Sequence, residues 1–304
     1  MYLPPGYEEE PERRYPSIYM LQGLTRHVEM WWNRSAFRPT TPEAIDLLFG
    51  SGEVGPAIVI LVDAWTSLGG SQYLSSPGTG RYLDYLCDDI VPFVDATYRT
   101  MPEAKSRGIT GHSSGGYGAL VVPMLRPDLF GALASHSGDA LFEVCYLPDF
   151  RVAARALRDA YGGSYDRFWE DFRSRPAFTK RSDHDLLNVY CMAACYSAQE
   201  DGSVTIPFES ATGRLREDVW QRWLEKDPVR MVEQHVSALR AMCGIYIDAG
   251  TRDEVYLDLG ATALAAELER AGISYHLELH DGGHGSLDYR YPKALEFLAR
   301  QLVS

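Results

Sequence analysis

The stretch Gly111-His112-Ser113-Ser114-Gly115-Gly116 holds a hydroxyl between glycines placed two residues to either side. It follows a short β-rich run at 107–110 and precedes residues 117–124, which can continue as a helix. A serine on so sharp a strand-to-helix turn holds a strained backbone. The residues two before and two after it must therefore be very small, and Gly111 and Gly115 meet that demand. The same turn exposes the Ser113 hydroxyl and sets the Ser114 N–H at a helix N-terminus, where partial positive charge favours an oxyanion. One turn thus offers both a nucleophile and an electrophilic cradle.

A serine hydroxyl is a poor nucleophile near neutral pH. A histidine must take its proton, and a carboxylate should orient that histidine. Behind a strand–serine–helix turn these partners follow in the order acid, then histidine. Late in the chain, Asp281-Gly282-Gly283-His284-Gly285 follows the last β-rich run, which makes His284 the expected general base. His136 and His280 are its competitors, while His112 points away from the reacting side of the turn. The run at 244–249 leads into Gly250-Thr251-Arg252-Asp253-Glu254, so Asp253 is the expected acid, with Glu254 and Asp248 as alternates. Asp253 also suits the N-cap of a helix starting near Glu254, and the two roles are compatible. A second oxyanion donor is expected from Gln22-Gly23-Leu24-Thr25, where the Leu24 N–H follows an early β-rich run.

These loops need strands and helices to hold them. Runs at 17–22, 57–62, 107–110, 132–136, 244–249 and 275–279 read as strands, the last of them most ambiguously. Most lack polar alternation, as expected of strands covered on both faces in a largely parallel α/β sheet. Between them, residues 82–98 carry Leu83, Leu86, Ile90, Phe93 and Val94 at helical spacing. Residues 257–268 carry a second stripe, and 294–302 a third that follows Pro292. Residues 139–229 break the rhythm and read as a helical lid inserted into one domain spanning 1–304. Its aromatics Phe142, Tyr146, Tyr190, Tyr196, Trp220 and Trp223 either line a cleft or form the insertion's own small core. With Trp65 and His112, Phe142 and Tyr146 are the expected pocket residues.

The 304 residues are 45% hydrophobic, enough for a core and a pocket, and carry a formal charge of −13. That acidity disfavours nucleic acid and anionic membrane surfaces as partners but by itself names no ligand; a small-molecule ester is the substrate expected from the serine chemistry above. The acidity does not decide whether the chain forms a homo-oligomer. No apolar run is long enough to span a bilayer. Five scattered cysteines suggest free thiols in a reducing compartment, hence the cytoplasm. Cys191 and Cys195 lie one helical turn apart but lack a second ligand pair, so no metal and no other cofactor is expected.

With these residues in place, the sequence resembles the esterase family that includes esterase D, S-formylglutathione hydrolases, siderophore (enterochelin) esterases and mycolyl-transferring antigens. The resemblance rests on Tyr2-Leu3-Pro4-Pro5-Gly6-Tyr7, Gly23-Leu24-Thr25, Ser76-Pro77-Gly78-Thr79-Gly80-Arg81-Tyr82, residues 111–116, Gly250-Thr251-Arg252-Asp253-Glu254 and Gly283-His284. It implies the α/β-hydrolase fold, a serine carboxylesterase, a triad at Ser113, Asp253 and His284, and oxyanion donors at Leu24 and Ser114. An acyltransferase or thioesterase would use the same residues, and a catalytically silent binding protein would keep the same fold. Two departures matter. Relatives carry a further strand before the segment matching residues 2–7, so this chain either starts late or has a trimmed sheet. S-formylglutathione hydrolases carry a cysteine soon after the glycine-leucine-threonine turn, where Arg26-His27-Val28 stands here, and that activity is disfavoured.

Overall fold

A computed structural model describes residues 1–302. Six strands form one sheet: β1 (Ser17–Leu21), β2 (Ile58–Leu61), β3 (Arg107–His112), β4 (Ala132–His136), β5 (Gly244–Gly250) and β6 (His276–His280). Their order across the sheet is β2-β1-β3-β4-β5-β6, and every neighbouring pair is parallel. Each expected strand is present to within a residue or two at either end. At the outer edge of β2, Tyr2 makes an isolated antiparallel bridge to Val59, closing both backbone hydrogen bonds.

The nine longest regular helices are α1 (Thr41–Gly50), α2 (Val91–Thr97), α3 (Ser114–Leu125), α4 (Leu147–Tyr161), α5 (Tyr165–Ser174), α6 (Asp183–Tyr196), α7 (Glu217–Leu224), α8 (Leu257–Arg270) and α9 (Tyr291–Gln301). The helix expected at 82–98 is broken. An α-helical turn at Tyr82–Asp84 passes through a π-helical stretch, Tyr85–Ile90, before α2. Pro92 at the head of α2 lacks the N–H that would tie it back to the preceding turn.

Alternate residues of each strand serve opposite faces. Tyr19, Leu21, Ile58, Ile60, Ile109, Leu133, Ile245 and Ile247 join the apolar cluster that takes in α3, α8 and the helices between β4 and β5. Ile18, Met20, Val59, Leu61, Ala132 and Ala134 join the other, closed by Ile45 and Phe49 of α1 and Leu295 and Leu298 of α9. A parallel sheet so covered must run apolar on both faces, which is why its strands read without polar alternation. It also directs the loops after β1, β3, β4, β5 and β6 to one edge. Among the described residues no helix is long and apolar enough to cross a membrane.

Candidate active site

Ser113 stands between β3 and α3 with φ 58° and ψ −124°, a conformation that an L-residue adopts only when its surroundings impose it. The surroundings are backbone. A Cβ at Gly111 would lie 2.4 Å from the Gly115 carbonyl, and one at Gly115 would lie 2.3 Å from the Leu21 oxygen. The turn is therefore wedged against the end of β1, and glycine at both positions allows it. The Ser113 N–H donates to the His136 carbonyl at 3.0 Å, tying the turn to β4.

The loops after β5 and β6 meet this serine. His284 Nε2 lies 3.0 Å from Ser113 Oγ, and His284 Nδ1 lies 2.9 Å from Asp253 Oδ2. Asp253 is buried and also accepts the Val255 N–H at 2.9 Å, so it orients the ring and caps the following turn at once. Burial alone would raise its pKa, but the hydrogen bond and charge of His284 outweigh it and hold the carboxyl below the usual carboxylate range. For His284, burial works downward and is overcome by Asp253, with Asp139 and Glu254 adding to the pull, so its pKa lies above that of an ordinary histidine. With a carboxylate on Nδ1, the neutral ring carries its proton there and leaves Nε2 free to accept one from Ser113.

The Leu24 loop abuts the same turn. A Cβ on Gly23 would lie 3.1 Å from the His112 oxygen and 3.5 Å from Ser113 Cβ. Thr25 holds a left-handed φ of 64° and donates its N–H to Gly69 at 2.8 Å, leaving the Leu24 N–H without an acceptor among the described residues. Ser114, first residue of α3, has no acceptor for its N–H one turn back within the helix. Both amides lie on turns that meet at Ser113 and have no backbone acceptor among the described residues, the kind of donor an oxyanion needs.

The competing histidines and acids have other partners. His136 is buried with Nδ1 2.8 Å from Asp248 Oδ1, and Asp248 is further held by Arg290 at 2.7 Å. The His280 ring packs edge-on to Tyr289. Glu254 accepts the backbone N–H of His284 at 2.8 Å instead of meeting its ring.

The expected pocket needs correction. Phe142 is fully buried against Tyr117, Tyr146 and Tyr196. Tyr146 is buried too, its hydroxyl donating to Asp139 at 2.6 Å, where Gln72 also donates at 2.8 Å. Apolar packing has claimed the first ring and a buried carboxylate the second, so neither lines an open cavity. His112 is buried and turned toward the backbone of His284, and Trp65 is half exposed on the loop after β2. A cavity of about 760 Å³ is walled by Thr66, Ser67 and Leu68 on one side and by Trp169, Arg173 and Tyr190 on the other. Tyr190 belongs to the aromatic set picked out from sequence; Trp169 does not, since its spacing matches the apolar face of α5 equally well. Trp220, Trp223 and Tyr196 form the buried core of this region with Phe142 and Phe150. Among the described residues no three His, Cys, Asp or Glu side chains are grouped to hold a metal ion.

A parallel sheet flanked by helices, with a strained serine turn and its histidine on the loop after the last strand, defines the α/β-hydrolase class. Within it the chain belongs to the Esterase family, whose model matches residues 1–292. An endo-1,4-beta-xylanase/feruloyl esterase of Xylanibacter ruminicola is 24% identical over 173 residues, 55% of this chain and 22% of that protein. The chain spans 22%, 39% and 57% of the curated relatives it matches, under two thirds of each. Among solved structures, a ferulic acid esterase is 20% identical with a TM-score of 0.63, covering 99% of this chain and 91% of that one. An S-formylglutathione hydrolase from Agrobacterium tumefaciens is 16% identical with a TM-score of 0.58, covering 99% and 88%. At these identities the structural likeness concerns the fold.

Proposed function

We propose that this chain is a serine carboxylesterase that works through an acyl-enzyme, with Ser113 as nucleophile, His284 as general base and acid, and Asp253 as the residue that fixes the histidine. The observation that carries the reading is the unbroken chain of hydrogen bonds from Ser113 Oγ through His284 to Asp253, 3.0 and 2.9 Å long. In this mechanism Ser113 Oγ attacks the ester carbonyl as its proton passes to His284 Nε2. The Leu24 and Ser114 amides hold the resulting oxyanion. The tetrahedral intermediate collapses, and the leaving alkoxide takes the proton from His284. Water then attacks the acyl-serine with His284 again as base, releasing the acid and restoring the hydroxyl.

Residues 139–229 act in this proposal as a lid that sets acyl and alcohol preference. Supporting this, its α5 and α6 supply Trp169, Arg173 and Tyr190 to the cavity beside the Thr66–Leu68 loop. That loop runs on into Gly69, whose carbonyl holds the Leu24 turn through Thr25. Hydrolysis of p-nitrophenyl acetate and butyrate by wild type and Ser113→Ala tests the mechanism. A loss in kcat of at least about 10³-fold is expected, and equal rates would exclude it.

A further inference from the structure

We propose that His112 and Glu254, the sequence neighbours of the nucleophile and of the acid, act as a two-point clamp on the backbone of His284, as positioning residues for ester hydrolysis. His112 Nε2 lies 2.8 Å from the His284 carbonyl oxygen, and Glu254 Oε2 lies 2.8 Å from the His284 backbone nitrogen. A carbonyl only accepts, so the His112 ring donates from Nε2, and that tautomer is fixed by the contact. The inference rests on the triad reading above.

The clamp has a local reason. His284 sits among Gly282, Gly283 and Gly285, which have no side chains to pack the loop in place, and a Cβ on Gly285 would meet nothing within 4 Å. Upstream, the amides of Thr251 and Arg252 tie the loop through the carbonyls of His280 and Gly282. For residues 283–285 the two side-chain contacts to His284 are the only backbone hydrogen bonds among the described residues. Glycine at 283 suits the arrangement, since a Cβ there would lie 2.8 Å from Glu254 Oε1. Because His112 precedes Ser113 and Glu254 follows Asp253, each triad partner carries its own tie to the base. Movement of the serine turn or the acid loop therefore carries the histidine with it.

Burial, with the neighbouring His284 and Arg26, holds the His112 pKa down to about 3, so the ring stays neutral across the working pH range. Glu254 is exposed, and its substitution leaves the core intact. Its negative charge favours the His284 imidazolium, which gives the clamp a readout that loop anchoring alone lacks.

Steady-state kinetics and pH profiles on p-nitrophenyl butyrate would be compared for wild type, Glu254→Ala, Glu254→Gln, His112→Leu and Ser113→Ala, with melting curves for each. Glu254→Ala is expected to lower kcat roughly tenfold with KM within about twofold, by analogy with the cost of removing other orienting hydrogen bonds. Glu254→Gln, which keeps an accepting oxygen, should recover most of kcat while moving the acidic limb of the profile to lower pH. His112→Leu should lower kcat about 10- to 100-fold and slow fluorophosphonate labelling of Ser113 by a similar factor. Wild-type kcat in Glu254→Ala, or an unmoved acidic limb in Glu254→Gln, would overturn the clamp even if His112→Leu does not fold. Full activity in Ser113→Ala would instead overturn the triad reading.

Discussion

At the scale of single residues the site is a matter of which nitrogen holds which proton. In the proposed mechanism His284 must be neutral to accept the Ser113 proton, and Asp253 pulls its pKa above the ordinary value near 6.5 despite burial. Activity should therefore rise with pH through a midpoint above that value. Asp253→Asn should drop kcat by roughly 10⁴-fold, because the amide favours the wrong tautomer, and move the remaining acidic limb downward. A pH–kcat series on both proteins checks this, and an acidic limb that stays put in Asp253→Asn would remove Asp253 from the role. The meeting of Ser113, Asp253 and His284 was legible in the sequence because each stands in a short glycine-bearing loop after a β-rich run, even where that run, before His284, was ambiguous. The pocket was not. Phe142 and Trp169 have the same chemistry in the sequence, and only packing decides that one ring is buried on Tyr117 while the other faces a cavity. His112 escaped for a related reason: its direction is set by a partner 172 residues away.

At the scale of elements, the serine turn depends on how closely β3 and α3 approach the end of β1. Gly115→Ala would drive a methyl to 2.3 Å from the Leu21 oxygen, and a backbone carbonyl in the middle of a sheet cannot step aside. A loss of about 3 kcal/mol or more is expected, together with most of the activity, since the Ser113 conformation and the Ser114 amide move with it. Gly50→Ala, at the end of α1 where a Cβ meets nothing within 4 Å, is the matched control and should stay within about 0.5 kcal/mol of wild type. Denaturant melts of both variants would decide the matter; similar midpoints for the two would contradict the packing argument. The strands themselves were readable from β-branched and aromatic runs, and β6 was ambiguous because edge strands carry polar residues such as His276 and Glu278. The broken helix at 82–97 was read as continuous, since an apolar stripe at helical spacing survives a π-helical turn and gives no sign of it.

At the scale of the whole molecule, the sheet beneath the site is held by a buried charge cluster that takes no part in the proposed chemistry. Asp248 on β5 is fully buried between His136 of β4, at 2.8 Å, and Arg290 just before α9, at 2.7 Å. The Tyr246 hydroxyl lies 3.0 Å from the same carboxylate, and Arg290 reaches Glu278 on β6 at 3.1 Å. The cluster thus spans three adjacent strands and anchors the last helix. Burial by itself would raise the Asp248 pKa, but the charges and hydrogen bonds of His136 and Arg290 win and bring it down to about 2. An unfolded aspartate titrates near 3.9, so the unfolded chain binds this proton first as pH falls. The stabilisation is therefore present above about pH 4, amounts to roughly 2–3 kcal/mol, and drains away as pH falls from about 4 to 2. Asp248→Asn should be less stable at pH 7 by about 2 kcal/mol, because the buried Arg290 guanidinium then keeps Glu278 as its one carboxylate partner in the cluster. It should also lose part of the wild type's steep acid dependence over that window. Urea midpoints measured from pH 7 down to pH 2 would show both effects, and parallel curves for the two proteins would mean that the cluster does not govern the acid stability of the fold.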